Sequence, residues 1–252
     1  MNHQKLGIEP LRSWGRRLRL LLLPLLILLS SCLQSDLTLR FDHQTHGQIL
    51  QSINLSERGA ALARDSLNPW LASLEQPVQQ LGGTLRQDSQ TIALSVPFST
   101  SQDLVERFDQ LFGTVPAEFS DAAPQLVIPR LGTVPFRLGV DQHSWGVASR
   151  THLTYDLDLR ELPANEIPGS GAKRPWAELY FSLQTPWGVG QVLPTSLRPV
   201  TQLPTETRWQ LQPGELNHID VDFWLPNAVG IGTVIILVMV LGGYFLRYRL
   251  LG

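Results

Sequence analysis

Two histidines three residues apart, His43 and His46, with Asp42 beside them, are the residues of this chain closest to a metal-binding set. Two imidazoles and a carboxylate are the donors of an open zinc centre. They fall in a short turn between two alternating stretches, so their side chains are expected in water and no metal is assigned. Asp156 with Asp158, and Asp220 with Asp222, could chelate calcium. Period-two alternation puts both members of each pair on the polar face of a strand in any case, so a solvated face is expected. His143, His152 and His218 are scattered and read as structural or surface residues. There is no G-x-S-x-G, H-E-x-x-H, Walker loop or G-x-G-x-x-G. Gly188-Val189-Gly190 lacks the third glycine and a following helix. The chain is therefore expected to be non-enzymatic and without a cofactor; a pocket with convergent titratable groups would reverse that.

The run that organises the chain is Ala228 to Leu246, which has no charged residue. As a helix it is roughly 28 Å long, about one hydrocarbon core. Trp224 precedes it, where an interfacial aromatic belongs, and Arg247 and Arg249 follow it, as charges on the cytoplasmic side do. These three are the expected membrane-anchoring residues. Gly232, Gly242 and Gly243 do not form G-x-x-x-G, so helix dimerisation has little support.

At the other end, Lys5, Arg12, Arg16, Arg17 and Arg19 precede the apolar run Leu20 to Leu29, which is too short for a span. Leu29-Ser30-Ser31-Cys32 resembles the bacterial lipobox, in which the cysteine is acylated and becomes the mature N-terminus. Cys32 is the expected lipidation site; the alternative is an uncleaved signal anchor with an incidental cysteine. Either way the following domain is exported. Cys32 is the only cysteine, so disulfides cannot staple the domain despite an oxidising compartment. Between Leu33 and Leu225 the chain carries thirteen basic and twenty-one acidic residues, a net −8. That sign excludes a nucleic-acid partner and disfavours a polybasic lipid patch.

The expected elements follow from alternation and caps. Asp36–Asp42 and Gln48–Leu55 read as a hairpin with a five-residue loop, Gly47 supplying a positive φ. Ser56 caps a helix from Glu57 that Pro69 kinks and Gly82-Gly83 end. Thr84–Arg86 and Thr91–Phe98 read as strands. Ser99 and Gln102 form a capping box for a helix whose stripe is Leu104, Val105, Phe108, Leu111 and Phe112, stopped by Gly113. Prolines 116, 124, 129 and 135 predict loop with short extended pieces. Strands return from Thr151 and over Ala177–Leu183. Residues 162–175 read as an exposed loop and 194–207 as irregular, and Leu216–Trp224 closes the domain. Trp176, Trp187 and Trp209 lie near loop ends, and core or edge packing is expected over an interfacial role.

The result is an α+β fold, mostly antiparallel, with two helices in its first half and one C-terminal transmembrane helix. Residues 1–31 form a lipoprotein-type signal peptide, 32–226 the extracytoplasmic domain, 227–247 the span and 248–252 a cytoplasmic tail. The short links at both ends predict a domain pinned twice to one bilayer, its first strand leaving the membrane and its last returning.

The lipobox, the early hairpin DLTLRFDHQTHGQI and the closing WLPNAVGIGTV with its basic tail resemble a cyanobacterial group of membrane-anchored lipoproteins with a domain of unknown function, itself similar to mycobacterial LppM-like lipoproteins. The resemblance implies a domain on the outer face of the inner membrane, or of the thylakoid membrane, and lipid or glycolipid binding among the mycobacterial relatives. It carries no site residue. Two readings remain: a module that binds membrane lipid or a membrane-protein partner, and a scaffold or assembly factor for a membrane complex. An acyl-sized apolar cavity favours the first, and a solid core with an exposed apolar patch the second.

Overall fold

The structure, a computed structural model, describes residues 33–55, 71–113, 125–128, 132–161 and 177–250. Cys32 and the signal segment, the expected helix start at Ser56, the kink at Pro69, Trp176 and the whole 162–175 loop lie outside them. The elements are β1 (Leu33–His43), β2 (His46–Leu55), helix α1 over residues 71–80, β3 (Thr84–Gln87) and β4 (Thr91–Phe98). Helix α2 (Ser101–Phe112), β5 (Gln125–Ile128), β6 (Gly132–Trp145) and β7 (Ala148–Asp158) follow. The remainder is β8 (Ala177–Gln184), β9 (Val189–Val192), β10 (Thr201–Gln202), β11 (Glu206–Leu211), β12 (Leu216–Pro226) and α3 (Ala228–Leu250).

Two sheets make the body, ordered β10-β11-β8-β1-β2-β4-β3 and β5-β6-β7-β12-β9. Among the described residues, all pairings are antiparallel except β1 with β8. Each long strand is half apolar by period two, and the apolar halves meet. Leu37, Leu39 and Phe41 of β1 face Ile219, Val221 and Phe223 of β12 in one core. The Phe41 and Phe223 rings lie 5.1 Å apart, and Tyr155 stacks on Phe181 at 4.7 Å. Burial pushes the Tyr155 phenol far above its ordinary range. The fold class agrees with expectation.

Helix α2 buries Leu104, Phe108, Leu111 and Phe112 against β4, β5 and β6. Its cap lies one residue later than expected. The Thr100 side chain accepts from the Asp103 N–H, while the Asp103 carboxylate accepts from the Ser99 N–H at 2.7 Å. Helix α1 ends as expected on Gly82-Gly83: Gly82 takes φ 69° and the Gly83 N–H donates to the Val78 carbonyl at 2.8 Å.

Several expectations are corrected. The β1–β2 turn is two residues, Gln44-Thr45, rather than five, and Gly47 lies within β2 without a positive φ. Glycine is needed there for space: a Cβ would lie 2.2 Å from the Phe98 ring and 2.4 Å from the Arg40 carbonyl. The proline-punctuated region contains β6, a fourteen-residue strand. Pro135 is tolerated because it stands at the end of both ladders: its pair with Gln125 closes the β5–β6 ladder, and the β6–β7 ladder begins only at Phe136. The 194–207 stretch contains β10 and the start of β11, and Trp209 on β11 is wholly buried, its indole N–H donating to the Leu197 carbonyl at 3.0 Å.

The double pin is overturned by the direction of β1. Phe41 packs on Phe223, and the Gln44 N–H donates to the Pro226 carbonyl at 3.1 Å. The end of β1 therefore lies at the end of β12, and both strands run toward α3. Leu33 starts ten residues back along β1, roughly 33 Å at about 3.3 Å per residue.

Candidate functional site

Helix α3 is the first part of the site. Its span from Ala228 to Arg249 is long and apolar enough to cross a membrane, and the domain buries none of it. It continues past the expected boundary to Leu250, so Arg247 and Arg249 lie in its last turn, where positive charge complements the helix C-terminus. The Arg249 guanidinium lies 5.0 Å over the Phe245 ring, and the Tyr244 and Tyr248 rings are 4.5 Å apart. These residues make an aromatic and basic belt at that end. Trp224, on β12, is partly exposed at the other end of the apolar stretch.

The junction between β12 and α3 is one residue, Asn227. Its N–H donates to the Val147 carbonyl at 2.9 Å, its Oδ1 accepts from the Gly230 N–H at 3.1 Å, and its carbonyl accepts from the Ile231 N–H at 2.9 Å. Asn227 is thus both the last tie to the β6–β7 turn and the N-cap of α3. Gly230 presses on that turn: a Cβ there would lie 1.9 Å from the Gly146 carbonyl oxygen. The Gln44 Nε2 donates to Ser144 Oγ at 2.5 Å, tying in the β1–β2 turn as well. The helix leaves a fixed platform made of two hairpin turns and the end of β12.

The chemistry-bearing residues fall elsewhere. His46 Nδ1 is 2.9 Å from Asp42, and His43 Nδ1 accepts from the Thr45 N–H at 3.2 Å, so both histidines are tied to their own turn. Among the described residues no three of His, Cys, Asp and Glu are placed to hold a metal ion. Sequence reading left His152 and His218 scattered, but the β7–β12 register joins them in one stripe on the outer face. Arg150 donates to Asp222 at 2.7 Å, His152 lies 3.0 Å from Asp222, and His218 lies 2.5 Å from Asp156. Asp220 lies between the two histidines, 3.4 Å from His152 Nε2, an ion-pair distance without hydrogen-bond geometry. Partial burial alone would raise the Asp222 carboxyl, but hydrogen bonds from Arg150 and His152 outweigh it and hold it below its ordinary value. The spacing Asp-x-Asp on two strands was legible; the cross-strand partners needed the register.

On the outer face of the other sheet lies an open trough of about 520 Å³, with Thr38, Ser52, Ala93 and Ser95 in its lining. Asp36 and Arg208 pair at 2.6 Å in its wall, and the guanidinium lies 3.9 Å over the Tyr180 ring. The lining of the trough mixes polar residues with Leu50 and Leu94, and Arg86 also borders it.

None of the curated proteins is significantly similar to this chain. The folded domain of the LppM protein of Mycobacterium tuberculosis, solved by NMR, is similar over 80% of this chain and 94% of that one, at 14% identity and a TM-score of 0.38. Residues 37–252 match the family described as "Protein of unknown function (DUF3153)", and the chain belongs to that family.

Proposed function

We propose that this chain is a non-enzymatic, membrane-anchored module whose domain stands outside the cytoplasm and binds lipid or a membrane-protein partner through the face that α3 holds at the bilayer. The observation that carries this reading is the one-residue junction at Asn227, which fixes the domain on the end of an exposed apolar helix. A flexible tether would let any face meet the membrane, and this one permits a single face. Arg247 and Arg249 support a cytoplasmic C-terminus under the positive-inside rule. The domain then lies on the periplasmic side of the inner membrane or the lumenal side of a thylakoid membrane, exported by the N-terminal segment. Acylation at Cys32 is a separate expectation, tested by incorporation of a fatty-acid analogue in wild type and in Cys32→Ser.

A scaffold for a membrane complex is the second reading. It is favoured by the filled interior, where Leu39, Phe181, Leu183 and Phe223 have no exposed surface. Native mass spectrometry of the detergent-extracted full chain separates the two. Stoichiometric phospholipid on the protein is the expected result, a stoichiometric protein partner would transfer the conclusion to the scaffold, and release of neither would remove both.

A further inference from the structure

Four turns at the α3 end have a composition unlike the rest of the domain. They are His43–His46, Trp145–Ala148, Thr185–Gly188 and residues 203–205. Strand register places them at one level. Ala148 pairs with Pro226, Val189 with Phe223, and Glu206 with Gln184, which in turn lies beside Arg40 near the end of β1. The Gly188 N–H donates to the Thr185 carbonyl, and a Cβ on Gly188, whose φ is 73°, would lie 2.3 Å from the Pro204 carbonyl oxygen. Two of the turns therefore press together.

Large apolar side chains project from this end. Trp145 is 70% exposed, Trp187 55% and Trp224 42%, with Leu203 and Val147 also exposed. Among the described tryptophans, Trp209 alone is buried. In a domain carrying a net −8, these four turns contain no aspartate or glutamate. Indole rings favour the depth of lipid headgroups, where one edge is apolar and the other wet. Asp42, the carboxylate beside the first of these turns, is paired with Arg40 and His46, which limits its repulsion of anionic headgroups.

We propose that this end is itself a lipid-contact surface, with Trp145, Trp187, Trp224, Val147 and Leu203 seated at headgroup depth in the bilayer that α3 enters. The inference rests on the reading that α3 spans a membrane. Continuity selects lipid as the occupant. Asn227 is the only residue between the domain and the helix, and Gly230 already touches the Gly146 turn. The hairpin tip bearing Trp145 and Val147 therefore cannot stand a lipid layer away from the point where α3 enters. A protein partner would have to fit between that tip and the surface.

The test uses the full chain reconstituted into vesicles of phosphatidylcholine and phosphatidylglycerol, some of the phosphatidylcholine brominated near the headgroup end of its acyl chains. Tryptophan emission is compared in wild type, each single variant and the triple variant W145F/W187F/W224F. With the rim in the interface, the triple variant loses about half or more of the quenchable emission, each single variant loses part of it, and Trp209→Phe loses none. Flotation of the vesicles separates the two levels of failure. Protein that does not float removes the anchor and the rim together. Protein that floats, with quenchable emission unchanged in the triple variant, overturns the rim and leaves the anchor. A photocrosslinker at position 145 that captures protein rather than lipid in native membranes also overturns it, in favour of a protein partner.

Discussion

The two ends of the sandwich are built from the same strands and turn in opposite manners. At the α3 end four tight turns contain no aspartate or glutamate of their own, and two of them are tipped with indole. At the opposite end they are Asp88-Ser89-Gln90, Arg160-Glu161 and Gln212-Pro213-Gly214-Glu215, each carrying a carboxylate. There Arg160 donates to Asp158 through side chain and backbone and holds its carboxyl at about 2. Among the described residues, Leu216 is the large apolar side chain exposed beside those turns. One end is finished for water and the other is not. The apolar core between the sheets does not require that difference; the proposed lipid contact accounts for it.

The comparison can be sharpened with two tryptophans. Trp209→Ala removes a wholly buried ring and is expected to lower stability by about 3–5 kcal/mol, read from urea unfolding in detergent. Gly230→Ala comes next. Its Cβ has nowhere to go but the Gly146 carbonyl, and a loss of about 1–3 kcal/mol is expected, with faster proteolysis at the junction. Unchanged melting and proteolysis would mean that α3 is not braced by the β6–β7 turn. Removing the Thr100 cap with Thr100→Ala is expected to cost about 1 kcal/mol in thermal unfolding.

Asp222 tests the stripe. Its folded carboxyl is held below its ordinary value, so its contribution is present above an unfolded value of about 4 and is lost as pH falls through the lower folded value. Asp222→Asn should therefore be less stable than wild type at neutral pH, with the gap closing in acid. A gap that widens in acid contradicts the assignment. The smallest effect is that of Trp145→Ala in detergent, expected within about 0.5 kcal/mol of wild type. A large loss there would make Trp145 a core residue and erase the contrast between the ends.

Much of the fold was legible where one face of a strand is buried. β1, β2, β4, β7, β8 and β12 announced themselves by alternation, and α2 by its apolar stripe. β6 was hidden because Pro135 is a sound reason to refuse a strand, unless the proline stands where one ladder ends and the next begins. β9 and β11 were hidden by brevity and by flanking Pro and Gly. Composition placed Trp224, Arg247 and Arg249 at the ends of the apolar run, and they flank the two ends of α3. Trp145 was not so placed, since its role depends on a turn meeting α3 from across the sheet. The signal available was Gly146, a glycine opening a two-residue turn between two alternating runs, with φ 64° in the structure.

The direction of β1 has one more effect. With its final turn against the platform beneath α3, its first residue is carried to the far pole of a rigid body. The domain then serves as a strut that sets Leu33 about 30 Å from the platform beneath α3, a spacing fixed by a strand length instead of a linker.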